Sequence, residues 1–397
     1  MKWFYNILDV WKNELIRSLT DIGALVFFVL VPLLYPPLYA YLYNNESVRE
    51  VPTVVVDNCH TSMSRDFLRK ADASGDINII GHCADMQEAI ELIHEHKAYC
   101  LIYVPAEFQK NIAEGKQAVV ELYSDMSGLL YYKSVLSACT EVSLEMNQEI
   151  KAQRLVGATK EQAEAFAYPI KYEYVPMFNT QSGFATFLIP AVMMMIIQQT
   201  MLLGIGMLLG DERENKRKGI IAEHLKGKRP LEILIGKATG YLNIYIPVAA
   251  YLVCIIPILF GHIHIWQWKD IIAFMIPFLF ACIFFCMFIS TFSYDRESFI
   301  VLFVFMSVPL LFMSGISWPA SAIPQVWRYI SYLFPGTFGV NGYVRMSEMG
   351  ALLRDVHWEF VFLWVQAIVY FFLTWFAYRK MYKRWQWFKP KASRKNK

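Results

Sequence analysis

Charge is what this chain has least of. Only 18% of its 397 residues are Asp, Glu, Lys or Arg, against about 25% in an ordinary soluble protein. That shortfall excludes a wholly solvated domain. Signatures of catalysis are also missing. The nearest thing to a phosphate-binding loop, Gly236-Lys237-Ala238-Thr239, has Leu231 where the first Gly is required, so backbone amides cannot cradle a nucleotide there. No GxSxG elbow and no HExxH pair occurs, which leaves nucleophile-elbow and zinc-protease chemistry without residues. The seven cysteines form no CxxC pair, so zinc and thioredoxin-like sites are not signalled.

What is there is apolar. Hydrophobic residues make up 56% of the chain, gathered in runs near the roughly 20 residues that cross a bilayer. Six spans are expected, at residues 22–43, 183–209, 233–260, 271–292, 299–318 and 360–378. Residues 1–20 predict an amphipathic helix suited to the membrane interface, with Trp3, Phe4, Ile7, Leu8, Trp11, Leu15 and Leu19 on its apolar side. Pro32, Pro36 and Pro37 should kink the first span.

Six spans place both termini on one side. Residues 379–397 carry nine Lys/Arg and no acid, and the loop 211–232 carries seven Lys/Arg, so that side is expected to be the cytoplasm. The basic tail therefore reads as a topological signal, not as a nucleic-acid contact. Residues 44–180 would then form an extracytoplasmic domain. Their pattern alternates: strands at VPTVVVD, INIIGH, AYCLIYVP and AVVELYSD, with helices between, then a long helix at 129–157. That order predicts an α/β domain with a mainly parallel sheet. A short helix at 160–166 and a return strand at 171–176 are expected before the second span. If this block lies outside the cytoplasm, a Cys59–Cys83 disulfide is open to it.

Two segments point to transport. Residues 319–350, following Ser314-Gly315, are rich in Trp, Tyr, Phe and Pro with few charges and contain a break at Pro335-Gly336. Such a sequence suits a re-entrant segment shielded by protein. The second is the loop 211–232. Its segment from Gly219 to Lys228 carries apolar Ile220, Ile221 and Leu225, which can dock on a soluble partner in helix-in-groove fashion or can merely set topology.

The motifs in that loop resemble those of permease subunits of type-2 class bacterial ABC exporters. Glu212, Arg213 and Glu214 match the charged start of the family pattern, and Gly219, Glu223, Leu225, Pro230, Glu232, Gly236 and Lys237 match the remainder. Ile220 replaces the usual Thr, and Asn215 to Lys218 stretch the spacing. The late segment is similar too, through Ser314-Gly315, Trp318-Pro319, Ile323-Pro324, Pro335 and Gly350. The resemblance implies a type-2 exporter fold of six helices in the inner membrane, of a drug-efflux-like subgroup with a large periplasmic domain. It implies coupling to an ATPase through Arg213, Glu214, Gly219, Glu223, Leu225 and Pro230. It assigns the pathway and re-entrant region to Gly315, Trp318, Pro319 and Pro335. It also implies a homodimer or heterodimer of permeases, ATP and Mg held by a separate ATPase subunit, and a periplasmic adaptor and outer-membrane channel as further partners. No catalytic, cofactor or metal residue is expected on the chain itself.

Other residues carry less. Gln198, Gln199, Asn243 and Gln366 are the polar groups deepest in spans and should face protein or a pathway; Gln198 and Asn243 are the pathway candidates. No Asp, Glu, Lys or Arg is placed mid-span, which leaves proton coupling without a carrier. His262 and His264 lack a third metal ligand. Met193, Met194 and Met195 suit span packing or a soft apolar path. Asp57, His60, Asp66, Asp125 and Ser127 suit caps and strand ends. A membrane-anchored sensor, a membrane-embedded enzyme and a polymer or lipid-linked glycan exporter are the alternatives.

Overall fold

Helices follow the long apolar runs in the computed structural model, which describes residues 2–43, 48–154, 177–179, 183–217, 223–261, 265–292, 295–315 and 317–387. The chain divides into two units, one of Met1–Asn44 with Phe178–Lys397 and one of Asn45–Met177.

In the first unit, α1 (Lys2–Thr20) ends at Asp21, whose carboxylate accepts the Ala24 N–H and so caps α2 (Ile22–Leu42). Among the described residues two helices contain a π-helical turn, α2 at Val26–Leu30 and α8 (Pro230–Leu259) at Tyr251–Ile255. Each wide turn ends two residues before a proline, Pro32 and Pro257. Proline removes a donor and crowds the preceding turn, and widening the ladder there accommodates it. Between them comes α7 (Phe184–Arg217), the axis of the unit, its apolar stretch largely buried. Then follow α9 (Trp268–Ser290), α10 (Glu297–Met313), α11 (Gln325–Ser331), α12 (Pro335–Glu348) and α13 (His357–Trp387).

Among the described residues five helices, α2, α7, α8, α9 and α13, are long and apolar enough to cross a membrane. The expected span at 299–318 differs. Its helix α10 stops at Met313 after 17 residues, about 25 Å at 1.5 Å per residue and short of a hydrocarbon core of about 30 Å. Gly315 explains the stop: its φ of +87° is a left-handed conformation that ends a helix at little cost only for glycine. Past it, α11 is short and exposed, whereas most of α12 is buried against α7, α9 and α13. Gly339 and Gly342 permit this approach, since a Cβ on either would collide with Phe278 or Phe274 of α9.

In the second unit, four strands form one sheet: β1 (Val51–Asp57), β2 (Ile77–His82), β3 (Cys100–Val104) and β4 (Glu121–Ser124). The order is β2-β1-β3-β4, with β1 parallel to β2 and β3, and β4 antiparallel to β3. Val51 and Val55 face α3 (Ser62–Asp72), α5 (Phe108–Ala113) and α6 (Leu129–Arg154), while Val54 and Val56 face α4 (Met86–His94). Burial on both faces explains why β1 is a continuous apolar run and not an alternating one. Cys59 and Cys83 are free thiols, and Cys59 Sγ lies 3.2 Å from Thr61 Oγ1. The helix expected at 160–166, the strand at 171–176 and His262 and His264 lie outside the described residues.

Candidate functional site

The first turns of α8 are built around an approach by α1. Successive turns of α1 meet successive turns of α8: Asn6 donates to Glu232 at 3.0 Å, Val10 packs on Gly236, and the Tyr241 hydroxyl donates to Glu14. The two helices therefore run side by side in one direction. Glycine makes this possible. A Cβ on Gly236 would lie 2.6 Å from Val10 Cβ and 3.0 Å from the Ile7 carbonyl, whereas one on Gly240 would sit at 3.6 Å from its nearest neighbours. Gly236 and Gly240 are one helical turn apart, a small-xxx-small face of the kind that brings helix backbones together.

This packing divides α1 into two faces. Its protein-facing stripe is Ile7, Val10, Glu14 and Ser18, while Trp3, Phe4, Leu8 and Leu19 stay exposed. One carboxylate, Glu14, is thus carried into the buried stripe, and it has company. Lys237 of α8 is fully buried, donates to Glu212 of α7 and stands 3.6 Å from Glu14. Arg17 of α1 reaches Glu212 and Asp211, each at 2.6 Å, and the Leu208 carbonyl at 2.8 Å. Three carboxylates and two cations from three helices form one network. Burial alone would lower the Arg17 pKa, but Glu212, Glu14, Tyr241 and Asp211 outweigh it, so the pKa is raised and the guanidinium stays charged.

The network continues into the 211–232 loop. Lys228, nearly buried, donates to Asp9 of α1, and that hydrogen bond holds the Asp9 carboxyl below its ordinary value. Glu232 accepts from the Arg229 N–H at 2.9 Å and so caps α8, with Pro230 in its first turn. Burial pushes the His224 imidazole below its ordinary value, with Lys237 and Arg17 adding to the effect and Glu14 and Glu212 opposing it.

The residues expected from sequence fall in different places. Arg213 donates to the Thr291 carbonyl at the end of α9 and lies 3.6 Å from Met381 Sδ of α13, so it joins three helix ends. Leu225 is turned inward at 2% exposure, packed near Ile233 and Lys237, and is not a protruding apolar tooth. Gly219 lies outside the described residues. Gln198 is fully buried and accepts the Gly336 N–H beside Pro335, fixing the start of α12 on α7. Trp318 and Pro319 are exposed, and Asn243 opens onto an apolar groove with Leu15 and Leu19. Met193, Met194 and Met195 are all buried in the core of the unit. Sequence reasoning missed Glu14, Arg17 and Tyr241 as a group. The available signals were a carboxylate at helical spacing from Ile7 and Val10, and the glycine pair at 236 and 240.

The visible effect of this network is mechanical. What it does is hold position: the end of α7, the start of α8 and α1 cannot shift separately without stripping a buried charge of its partner, at about 3–5 kcal/mol.

Residues 22–376 match the family described as ABC-2 family transporter protein. No curated protein matches the sequence. Because the match runs from the start of α2 into α13, across all five span-length helices, the chain belongs to the ABC-2 family of transporter proteins, as a multi-pass permease component.

Proposed function

We propose that the chain is the permease half of an ATP-driven exporter whose ATPase is a separate subunit. The observation that carries this reading is the ionic network between α1, α7 and α8. It lies where the loop 211–232 leaves one helix and enters the next, so a force applied to that loop moves three helices together. ATP and Mg bind on the partner, which docks on the loop. Glu214, Gly219 and Glu223 contact it; Arg213, Leu225 and Pro230 anchor the loop to the helices behind it. The excess of Lys/Arg in the loop and tail puts both on the cytoplasmic side of a bacterial inner membrane. Asn45–Met177 is then extracytoplasmic, and α10 completes six crossings, its 17 residues matched by a local thinning of the bilayer. Two permeases, identical or paired, enclose the pathway, with exposed Val301, Phe305 and Phe312 of α10 supporting an apolar partner surface. The cargo is a hydrophobic, drug-like small molecule, and the α/β unit meets a periplasmic adaptor leading to an outer-membrane channel.

The test is co-purification from native membranes. An ABC ATPase should accompany the wild-type chain and be lost from Glu223→Arg while membrane insertion is unchanged. An undiminished ATPase in that variant sinks the coupling role. Single cysteines at Lys226 and Ser127 should label from opposite sides of the membrane; labelling from one side refutes the topology.

A further inference from the structure

A groove of about 370 Å³ runs between α1, α2 and α8, a size within the range of ligand sites. Leu15 and Leu19 of α1 close one end, Val29 and Pro32 of α2 line one wall, and Ile244 and Val248 of α8 line the other. Both walls bend at π-helical turns, Val26–Leu30 and Tyr251–Ile255, and the Tyr251 hydroxyl bridges them by donating to the Leu33 carbonyl at 3.0 Å. Exposed Leu30, Leu34 and Ile246 flank the opening, so it faces whatever apolar medium surrounds the helices.

The groove is graded along its length. Beyond Asn243, toward Val248, it is apolar. Asn243 is an amide whose side chain makes no hydrogen bond among the described residues, and such a group at span depth calls for a polar partner. On α1, Leu8, Lys12, Leu15 and Leu19 share one face by their 4-3-4 spacing. Lys12 is therefore an exposed cation set one turn from the groove on an otherwise apolar stripe, and it forms no ion pair among the described residues.

Cation, then amide, then apolar trough is the order of phosphate, ester carbonyl and acyl chain in one molecule. We propose that this groove holds a single anionic phospholipid. Its phosphate lies at Lys12, an ester carbonyl accepts from the Asn243 amide, and one acyl chain fills the trough between Pro32 and Val248. The lipid then fills the space between α1 and the two walls on the face of α1 away from Lys237.

The experiment is native mass spectrometry of the full chain in detergent, supplied with phosphatidylglycerol or phosphatidylethanolamine of the same acyl chains. One phosphatidylglycerol per chain is expected to stay bound, favoured about fivefold, the effect of one lysine on an anionic headgroup. Lys12→Gln should abolish the preference while retaining chain binding. Val248→Trp and, from the opposite wall, Leu33→Trp should expel both lipids; size-exclusion and melting profiles identify any variant that misfolds. Equal retention of the two lipids, a preference that survives Lys12→Gln, or full retention in folded groove-filling variants overturns the proposal. So does the retention of neither lipid by the wild-type chain.

Discussion

Replacing Lys237 with Met removes an ammonium that faces both Glu14 and Glu212. The side chain is fully buried, as is Glu14, so water cannot take its place. Arg17 keeps its ion pairs with Asp211 and Glu212 and its attraction to Glu14, which also keeps the hydrogen bond from the Tyr241 hydroxyl. Stripping a buried charge of its partner costs about 3–5 kcal/mol. Coulomb attraction across the 3.6 Å between Lys237 and Glu14 gives about 5 kcal/mol at an effective dielectric of about 20, the same order. At roughly 2–4 °C per kcal/mol for a unit of this size, the apparent melting temperature should fall by about 10 °C. The assay is thermal unfolding in detergent at one fixed heating rate, because such transitions depend on scan rate. Glu14→Gln supplies the second arm. In the double variant no carboxylate is left behind by the lost lysine at that position, so the combined loss should be smaller than the sum of the single losses. A loss below about 1 kcal/mol for Lys237→Met, or additivity within about 0.5 kcal/mol, refutes the network.

Three further outcomes are expected. Gly236→Ala should destabilise the protein by about 1–3 kcal/mol and expose α1 to limited proteolysis, since its Cβ meets Val10 and the Ile7 carbonyl, while Gly240→Ala, with 3.6 Å of clearance, should be close to neutral in the same assays. Gln198→Leu strips the acceptor from the Gly336 N–H and should cost about 1–3 kcal/mol; Gln198→Glu keeps an acceptor there and should lower thermal stability less. Because the His224 pKa is lower folded than unfolded, the unfolded chain binds the extra proton more readily. Stability should hold above the ordinary histidine value of about 6.5 and decline as pH falls below it. A melting series from pH 8 to 5 should show that slope, and His224→Gln should flatten it.

Local elements were the legible part. The strands expected at VPTVVVD and INIIGH are Val51–Asp57 and Ile77–His82, because apolar β-branched runs between turn residues leave few other conformations. The span-length runs emerge as helices, and Asp21, Asp85 and Thr61 cap theirs as short polar residues do. Length misled at 299–318, where apolar composition runs on to Trp318 but Gly315 turns the backbone first. Leu225 looked like a tooth for a partner because spacing reveals a face and not what the face meets. The structure turns it inward.

Sequence alone decided the class of this protein. Bilayer thickness requires long apolar runs, sheet and helix impose their own periods, and the loop 211–232 carries its charges in linear order, so each is readable residue by residue. Tertiary structure decided where force and charge are held. Glu14 and Tyr241 are separated by 227 positions and Arg17 and Glu212 by 195. They meet because Gly236 lets α1 lie close along α8, and no one-dimensional pattern carries the packing that brings them together.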